Sequence, residues 1–158
     1  MDARPPALEL KQLRKAFGRG AEQVVALEGL DLRVEPGEFV CLLGASGCGK
    51  SSLLHMLTGL DDATSGTIDM PIGRAALMFQ ESALFPWLTV DQNIDLPLKL
   101  AGLSPAERRD RIASLLDLVG LKAFAGHRPH QLSGGMRQRV ALVRALAQGA
   151  RLLLLDEP

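Results

Sequence analysis

Gly44-Ala45-Ser46-Gly47-Cys48-Gly49-Lys50-Ser51 fits the pattern G-x-x-x-x-G-K-[ST], and the rest of the chain is read outward from it. Immediately upstream, Glu38-Phe39-Val40-Cys41-Leu42-Leu43 reads as a short buried strand. Downstream, Leu53, Leu54, Met56 and Leu57 lie at helical spacing, and Gly59 supplies a C-terminal stop. Strand, glycine-rich loop and helix is the order a phosphate cradle requires. Glycines let backbone N–H groups crowd round an anion because no Cβ intervenes. The helix beginning near Lys50 points the positive end of its dipole at the same place. Lys50 adds a full charge, Ser51 offers a hydroxyl for Mg²⁺, and Ser52 sits on the same first turn near an α-phosphate.

The 158 residues amount to one domain, and 47% hydrophobic content can support a core. Lys+Arg and Asp+Glu are both 18, so the formal net charge is zero, which speaks against general nucleic-acid binding. Cys41 and Cys48 have neither disulfide-framework nor metal-ligand spacing, and a reducing compartment suits them better than secretion. The opening Met1–Pro6 lacks the apolar run of a signal peptide, and no window approaches a membrane span.

Ahead of the phosphate loop, strands are expected over residues 7–17, Val24–Leu27 and Leu30–Val34, with Pro36-Gly37 turning into the next element. Phe17 is either an ordinary core aromatic or a flat surface for a purine ring. After Gly59 come a polar loop, a short strand at Thr67–Met70, and the apolar run Ala75–Phe79, which ends at Gln80. An amide at the carboxyl end of such a strand is placed to meet a ligand, or it is a strand end in solvent. Leu84-Phe85-Pro86-Trp87-Leu88-Thr89-Val90 reads either as a packed loop or as a docking surface.

The middle is helical. Val90–Leu100 is a helix candidate interrupted by Pro97, and Ser104-Pro105-Ala106-Glu107 is a capping-box start whose helix Gly120 closes. Arg108, Arg109, Asp110 and Arg111 form a solvated face, and His127 and His130 lack a third metal ligand. Ser133-Gly134-Gly135 then opens a helix and makes a second anion cradle, which Gly149 ends. Leu152–Leu155 reads as a strand buried on both faces, with Asp156 and Glu157 at its carboxyl end. Asp156 suits a metal, and Glu157 suits proton abstraction from an attacking water.

Taken in order, these pieces resemble the ATP-binding cassette family, specifically the nucleotide-binding subunits of ABC transporters. Gly44–Ser51 resembles Walker A, Gln80 the Q-loop glutamine, and Leu132–Arg139 the signature motif, with Met136 where Gln is commoner. Leu152–Glu157 resembles Walker B with its catalytic glutamate, and Phe17 falls where the family stacks an aromatic on adenine.

The resemblance implies an α/β P-loop NTPase (RecA-like) core with an N-terminal antiparallel β subdomain and an inserted helical subdomain. Its parts are 7–37 (antiparallel β), 38–82 (P-loop core), 83–131 (helical) and 132–158 (signature helix and Walker B strand). It implies ATP and Mg²⁺ as ligands, with Lys50, Gln80 and Glu157 catalytic and Ser51, Gln80 and Asp156 serving the metal. The nucleotide would be held by Phe17, by Gly44, Ala45, Ser46, Gly47, Cys48, Gly49, Lys50, Ser51 and Ser52, and, from a head-to-tail second subunit, by Ser133, Gly134 and Gly135. Further implied partners are transmembrane permease subunits, contacted by the helical middle, and indirectly a solute-binding protein, at the cytoplasmic face of the cell membrane; nucleic acid is not expected.

The 85–90 and 133–139 stretches are most similar to the nitrate, sulfonate and taurine importer group, while Asn93–Leu98 resembles lipoprotein-release and macrolide-type exporters. Rival readings are a soluble ABC-type ATPase and a nucleotide-binding fragment without turnover. Family members continue past the position of Pro158, so the resemblance also implies a truncated chain with an incomplete core sheet, unpaired strand edges, weak hydrolysis and marginal stability.

Overall fold

The computed structural model describes residues 5–71, 73 and 75–157; Met1–Arg4, at the start of the stretch read for a signal peptide, and the final Pro158 lie outside them. The chain forms two compact units, one ending at Ala75 and the other starting at Ala76.

The first unit is built on an antiparallel sheet in the order β2-β1-β3: β1 (Leu8–Phe17), β2 (Val24–Val34) and β3 (Ser65–Asp69). Leu8 and Leu10 of β1 are buried, and the alternation resumes three residues on at Leu13 rather than two. A bulge between Leu10 and Leu13 makes this possible, with Gln12 in the left-handed region at φ 48 and tied by its backbone N–H to Asp31 Oδ1 at 2.7 Å. Val24–Leu27 and Leu30–Val34, expected as two strands, are one bulged strand, with Gly29 at φ 60 between them. Pro36 and Gly37 occupy the middle of a turn closed by Glu38 N–H to Glu35 O at 3.1 Å, with Gly37 at φ 83.

The next expectation fails. Glu38–Leu43 is not a strand, and Phe39 and Leu43 are 88% and 89% exposed. Among the described residues this run joins no ladder. A strand, unlike a helix, closes none of its hydrogen bonds within itself, so apolar, β-prone composition cannot form one without a neighbouring edge.

Helix α1 (Lys50–Thr58) buries Leu53, Leu54, Met56 and Leu57. Gly59 ends it in the left-handed conformation at φ 71, with Gly59 N–H on Met56 O and Leu60 N–H on His55 O, a Schellman closure.

The second unit contains β4 (Ala75–Met78, whose first residue closes the other unit), α2 (Val90–Leu100), α3 (Pro105–Leu118), α4 (Gly134–Ala147) and β5 (Leu152–Leu155). β4 and β5 pair as a two-stranded sheet. Of β5 only Leu154 is buried, so the strand read as covered on both faces is partly open. Helix α4 works on two sides. Val140, Val143 and Ala147 join Val90, Ile94, Leu98, Leu115 and Leu116 in one core, while Ala141 and Ala145 join Ala76 and Met78 in another, against which Leu153 and Leu155 pack. Alanines on that side keep the helix narrow where it meets sheet residues.

Pro97 lies inside α2 without ending it. The capping box of α3 forms as read, with Ser104 N–H on Glu107 Oε2 at 2.8 Å and Glu107 N–H on Ser104 Oγ at 3.4 Å. The Ser104 hydroxyl first, and then the Ser104 backbone N–H, hold the Glu107 carboxyl below its usual range. Arg108, read as solvated, instead ties α3 to α2 through Asp95 Oδ1 at 2.6 Å. The 84–90 stretch proves to be both a packed and an exposed loop. Leu84 packs against both cores, while Trp87 is 67% exposed.

Candidate functional site

The phosphate loop leads from the unpaired 38–43 run into α1. Its glycines are required by geometry at two points. Gly49 has φ 95, and a Cβ there would lie 2.5 Å from Ala26 O, so only glycine lets the loop rest on β2. Gly47 has φ 80, the left-handed region that favours glycine, with open space where a Cβ would lie. Lys50 Nζ crosses the loop and donates to Gly44 O at 2.9 Å and Ala45 O at 3.0 Å. Cys48 N–H reaches Ala45 O at 3.3 Å, and the Cys48 thiol lies 3.7 Å from Lys50 Nζ. The result is a closed turn of backbone centred on an ammonium group.

Helix α1 has no side-chain cap and no acidic residue in its first turn, so the positive end of its dipole is not neutralised locally. Ser51, exposed, and Ser52, half-buried, occupy that turn. A dipole end, one cation and two hydroxyls therefore lie on one loop and helix start, groups of the kind that suit a polyphosphate.

Phe17 ends β1 opposite Val24 and is 45% exposed. Gly49 rests on Ala26, two residues further along β2, which is about 7 Å at strand rise. Phe17 and the phosphate loop therefore border the same end of β2. Lys15 Nζ stands 4.8 Å from the Phe17 ring centroid. The buried Lys15 is held by Asp61 Oδ1 and by Asp62 O at 2.7 Å. The bond from Lys15 is the leading cause of an Asp61 carboxyl held below its usual range.

In the second unit, Gln80 follows β4 and the two carboxylates follow β5. Asp156 N–H donates to Met78 O at 3.0 Å, extending the β4–β5 ladder into the site, and Asp156 is buried. Glu157 is exposed and sits at φ 46, a left-handed conformation unusual for glutamate. Its Oε2 accepts from Gln80 Nε2 at 2.6 Å. Gln80 is held in turn at its carbonyl by Gln138 Nε2 at 3.0 Å. The structure thus brings together Gln80, Asp156 and Glu157, three residues that lie up to 77 positions apart in sequence.

Ser133, Gly134 and Gly135 form an exposed N-terminus on α4, with Ser133 Oγ accepting from Met136 N–H at 3.3 Å. The sequence-read site residues therefore fall in two sets: Phe17 and 44–52 in the first unit, and Gln80, 133–135, 156 and 157 in the second.

Among the described residues no group of three or more His, Cys, Asp and Glu could hold a metal by itself. The Ser51 hydroxyl of the first unit, and the Gln80 amide oxygen and Asp156 carboxylate of the second, are each hard oxygen donors of the kind Mg²⁺ takes.

Three side chains escaped the sequence reading. Asn93, fully buried, clips the 85–89 loop by accepting from Phe85 N–H at 2.9 Å and donating to Thr89 O at 2.9 Å. Arg144 on α4 donates to Ala83 O at 2.7 Å and Ser82 O at 3.3 Å. Lys15 anchors the loop after α1. The available signal was the same for Asn93 and Arg144, a polar residue within a helix's buried apolar pattern.

A family model described as ABC transporter matches residues 27–158. The nitrate import ATP-binding protein NrtD of Synechocystis sp. is 47% identical over 96% of this chain and 59% of its own length. The putrescine transport ATP-binding protein PotG of Escherichia coli is 45% identical over 97% of this chain and 42% of its own. The pyoverdine export ATP-binding/permease protein PvdT of Pseudomonas fluorescens is 41% identical over 97% of this chain and 26% of its own. The chain therefore spans about a quarter to three-fifths of the length of these relatives. Among solved structures, the ATP-binding cassette MJ0796, as a dimer in a post-hydrolysis state with ADP and Pi, superposes with a TM-score of 0.86 at 35% identity, over 94% of this chain and 73% of that one. No helix among the described residues is long and apolar enough to cross a membrane.

Proposed function

This chain belongs to the ABC transporter family, and from that premise we propose that it binds and hydrolyses ATP to drive a membrane transporter. The observation that carries the reading is the 2.6 Å contact between Gln80 and Glu157 beside Asp156. It joins a proton acceptor and an amide at the end of the β4–β5 pair, next in sequence to a second carboxylate, an arrangement that a purely nucleotide-binding module would not need.

In the proposed mechanism the 44–49 backbone and the α1 dipole bind the phosphates, and Lys50 neutralises the β/γ oxygens. Phe17 offers its ring to the base. Glu157 accepts the proton of the attacking water, and Gln80 keeps its carboxylate oriented through the Nε2 bond. Bound Mg²⁺, held by Ser51, Gln80 and Asp156, would offset charge on the phosphate oxygens. Ser133, Gly134 and Gly135, exposed at a capped helix start, would meet the γ-phosphate bound to a second copy in a head-to-tail pair. The dimeric form of the similar MJ0796 cassette supports pairing.

The further partners in this proposal are permease subunits at the cytoplasmic membrane face, met through the 85–90 loop with its exposed Trp87, and indirectly a solute-binding protein. For cargo we propose import of a small anion of the nitrate, sulfonate or taurine kind, supported by the similarity to the nitrate importer. Export is the second reading, supported by the similarity to the pyoverdine exporter.

The test is nucleotide binding followed by phosphate release, with and without Mg²⁺. Lys50→Ala is expected to weaken ATP binding by about tenfold or more, as loss of one charge-assisted contact does. Unchanged affinity would remove Lys50 from the cradle.

A further inference from the structure

We infer that Gln138 and Arg144 are positioning residues for the Gln80–Glu157 pair, an inference that rests on the hydrolytic reading above. Both lie on α4 and both donate to one short stretch of main chain, at a carbonyl just beyond the β4 strand and two more in the loop that follows. Gln138 Nε2 holds Gln80 O at 3.0 Å. Arg144 holds Ala83 O through Nη1 at 2.7 Å and Ser82 O through Nη2 at 3.3 Å. Residues 80–83 thus have α4 side chains as hydrogen-bond donors where a strand would have a ladder. The Gln80 side chain that leaves this clamped backbone is the one that meets Glu157.

Three further observations show that the clamp does more than fill space. Ala83 sits at φ 44, in the left-handed region, and Arg144 bonds its carbonyl, so the guanidinium holds a backbone form that alanine does not choose. Burial pulls the Arg144 guanidinium below its ordinary value, as expected of a charge withdrawn from water onto backbone oxygens. Most telling is Gln138, whose Oε1 is buried without a hydrogen-bond partner. An orphaned buried acceptor is a cost, and a leucine of similar size would avoid it. Stability therefore does not account for an amide at this position, whereas the donor it places on Gln80 O does.

The clamp also reaches the exposed loop. The Arg144 guanidinium lies 5.8 Å from the Phe85 ring centroid, and Phe85 lies 5.5 Å from Trp87, the chain's one tryptophan. Trp87 emission is thus a reporter of the clamp that does not depend on turnover.

The experiment compares wild type, Gln138→Leu and Arg144→Lys for Mg²⁺–ATP turnover, melting temperature and Trp87 emission. Gln138→Leu is expected to lower kcat about tenfold or more, with KM within about twofold, because a small displacement of a positioned group costs that much. Its melting temperature should equal or exceed wild type. Arg144→Lys keeps the charge but cannot fork to both carbonyls, so it should lose kcat and shift Trp87 emission. An unchanged kcat in Gln138→Leu overturns the inference, and so does a loss of kcat matched by a fall in melting temperature, which marks a merely structural residue. Unshifted Trp87 emission in Arg144→Lys overturns the clamp on its own. A wild type that binds ATP but releases no phosphate would instead overturn the hydrolytic reading, while the emission result would still judge the clamp.

Discussion

Glu38–Leu43 and Leu152–Leu155 are two apolar runs of strand length, and each leads straight into candidate site residues. The first feeds the phosphate loop and the second feeds Asp156 and Glu157. Their fates differ. Leu152–Leu155 pairs with β4, and the ladder carries on to Asp156 N–H on Met78 O. Glu38–Leu43 pairs with nothing among the described residues and exposes Phe39 and Leu43. Composition supplies the capacity for a strand, and a neighbouring edge decides whether it is used. The phosphate loop can keep its shape regardless, because glycine dihedrals, the Lys50 bonds and the start of α1 are all local. The acidic site cannot, since its members follow two strands, β4 and β5, that are distant in sequence.

Stability measurements can break this contrast. In urea unfolding, Leu154→Ala is expected to cost about 2–3 kcal/mol, as for a buried leucine, and Leu43→Ala less than about 0.5 kcal/mol. Similar costs for the two would mean that the first run is packed as a strand after all. Ser133→Ala tests the second cradle, which depends on a side-chain cap where α1 has none. It should cost about 1 kcal/mol by the same method, and no loss would mean that the cap bond carries no weight.

The smallest effect expected concerns acid. Asp61 is held below its usual range by Lys15, so its contribution is present above the unfolded carboxyl value of about 3.9 and fades as pH falls through the lower folded value. A melting-temperature profile below about pH 4 should therefore fall more gently for Asp61→Asn than for wild type. Parallel profiles would show that the pair adds nothing to the anchoring of the loop after α1.

What could be read from residue order was whatever is settled locally. The Ser104–Glu107 box, the Gly59 stop and the left-handed glycines of the phosphate loop each follow from a few neighbouring residues. What could not be read depended on distant partners. Residues 38–43 carry the composition of a strand but not its neighbour. Arg144 and Asn93 look like blemishes in apolar helices until the carbonyls they hold come into view. The joining of Gln80 with Glu157 was foreshadowed only by the family resemblance, since no local rule links positions 80 and 157.

The central claim is that Glu157, oriented by Gln80, takes the proton from water during ATP cleavage. The most direct test measures phosphate release by wild type and Glu157→Gln at saturating Mg²⁺–ATP, with nucleotide binding followed in parallel. The expected result is a loss of turnover of about a hundredfold or more, the scale of general-base catalysis, with binding retained. Equal turnover in the two proteins would contradict the account.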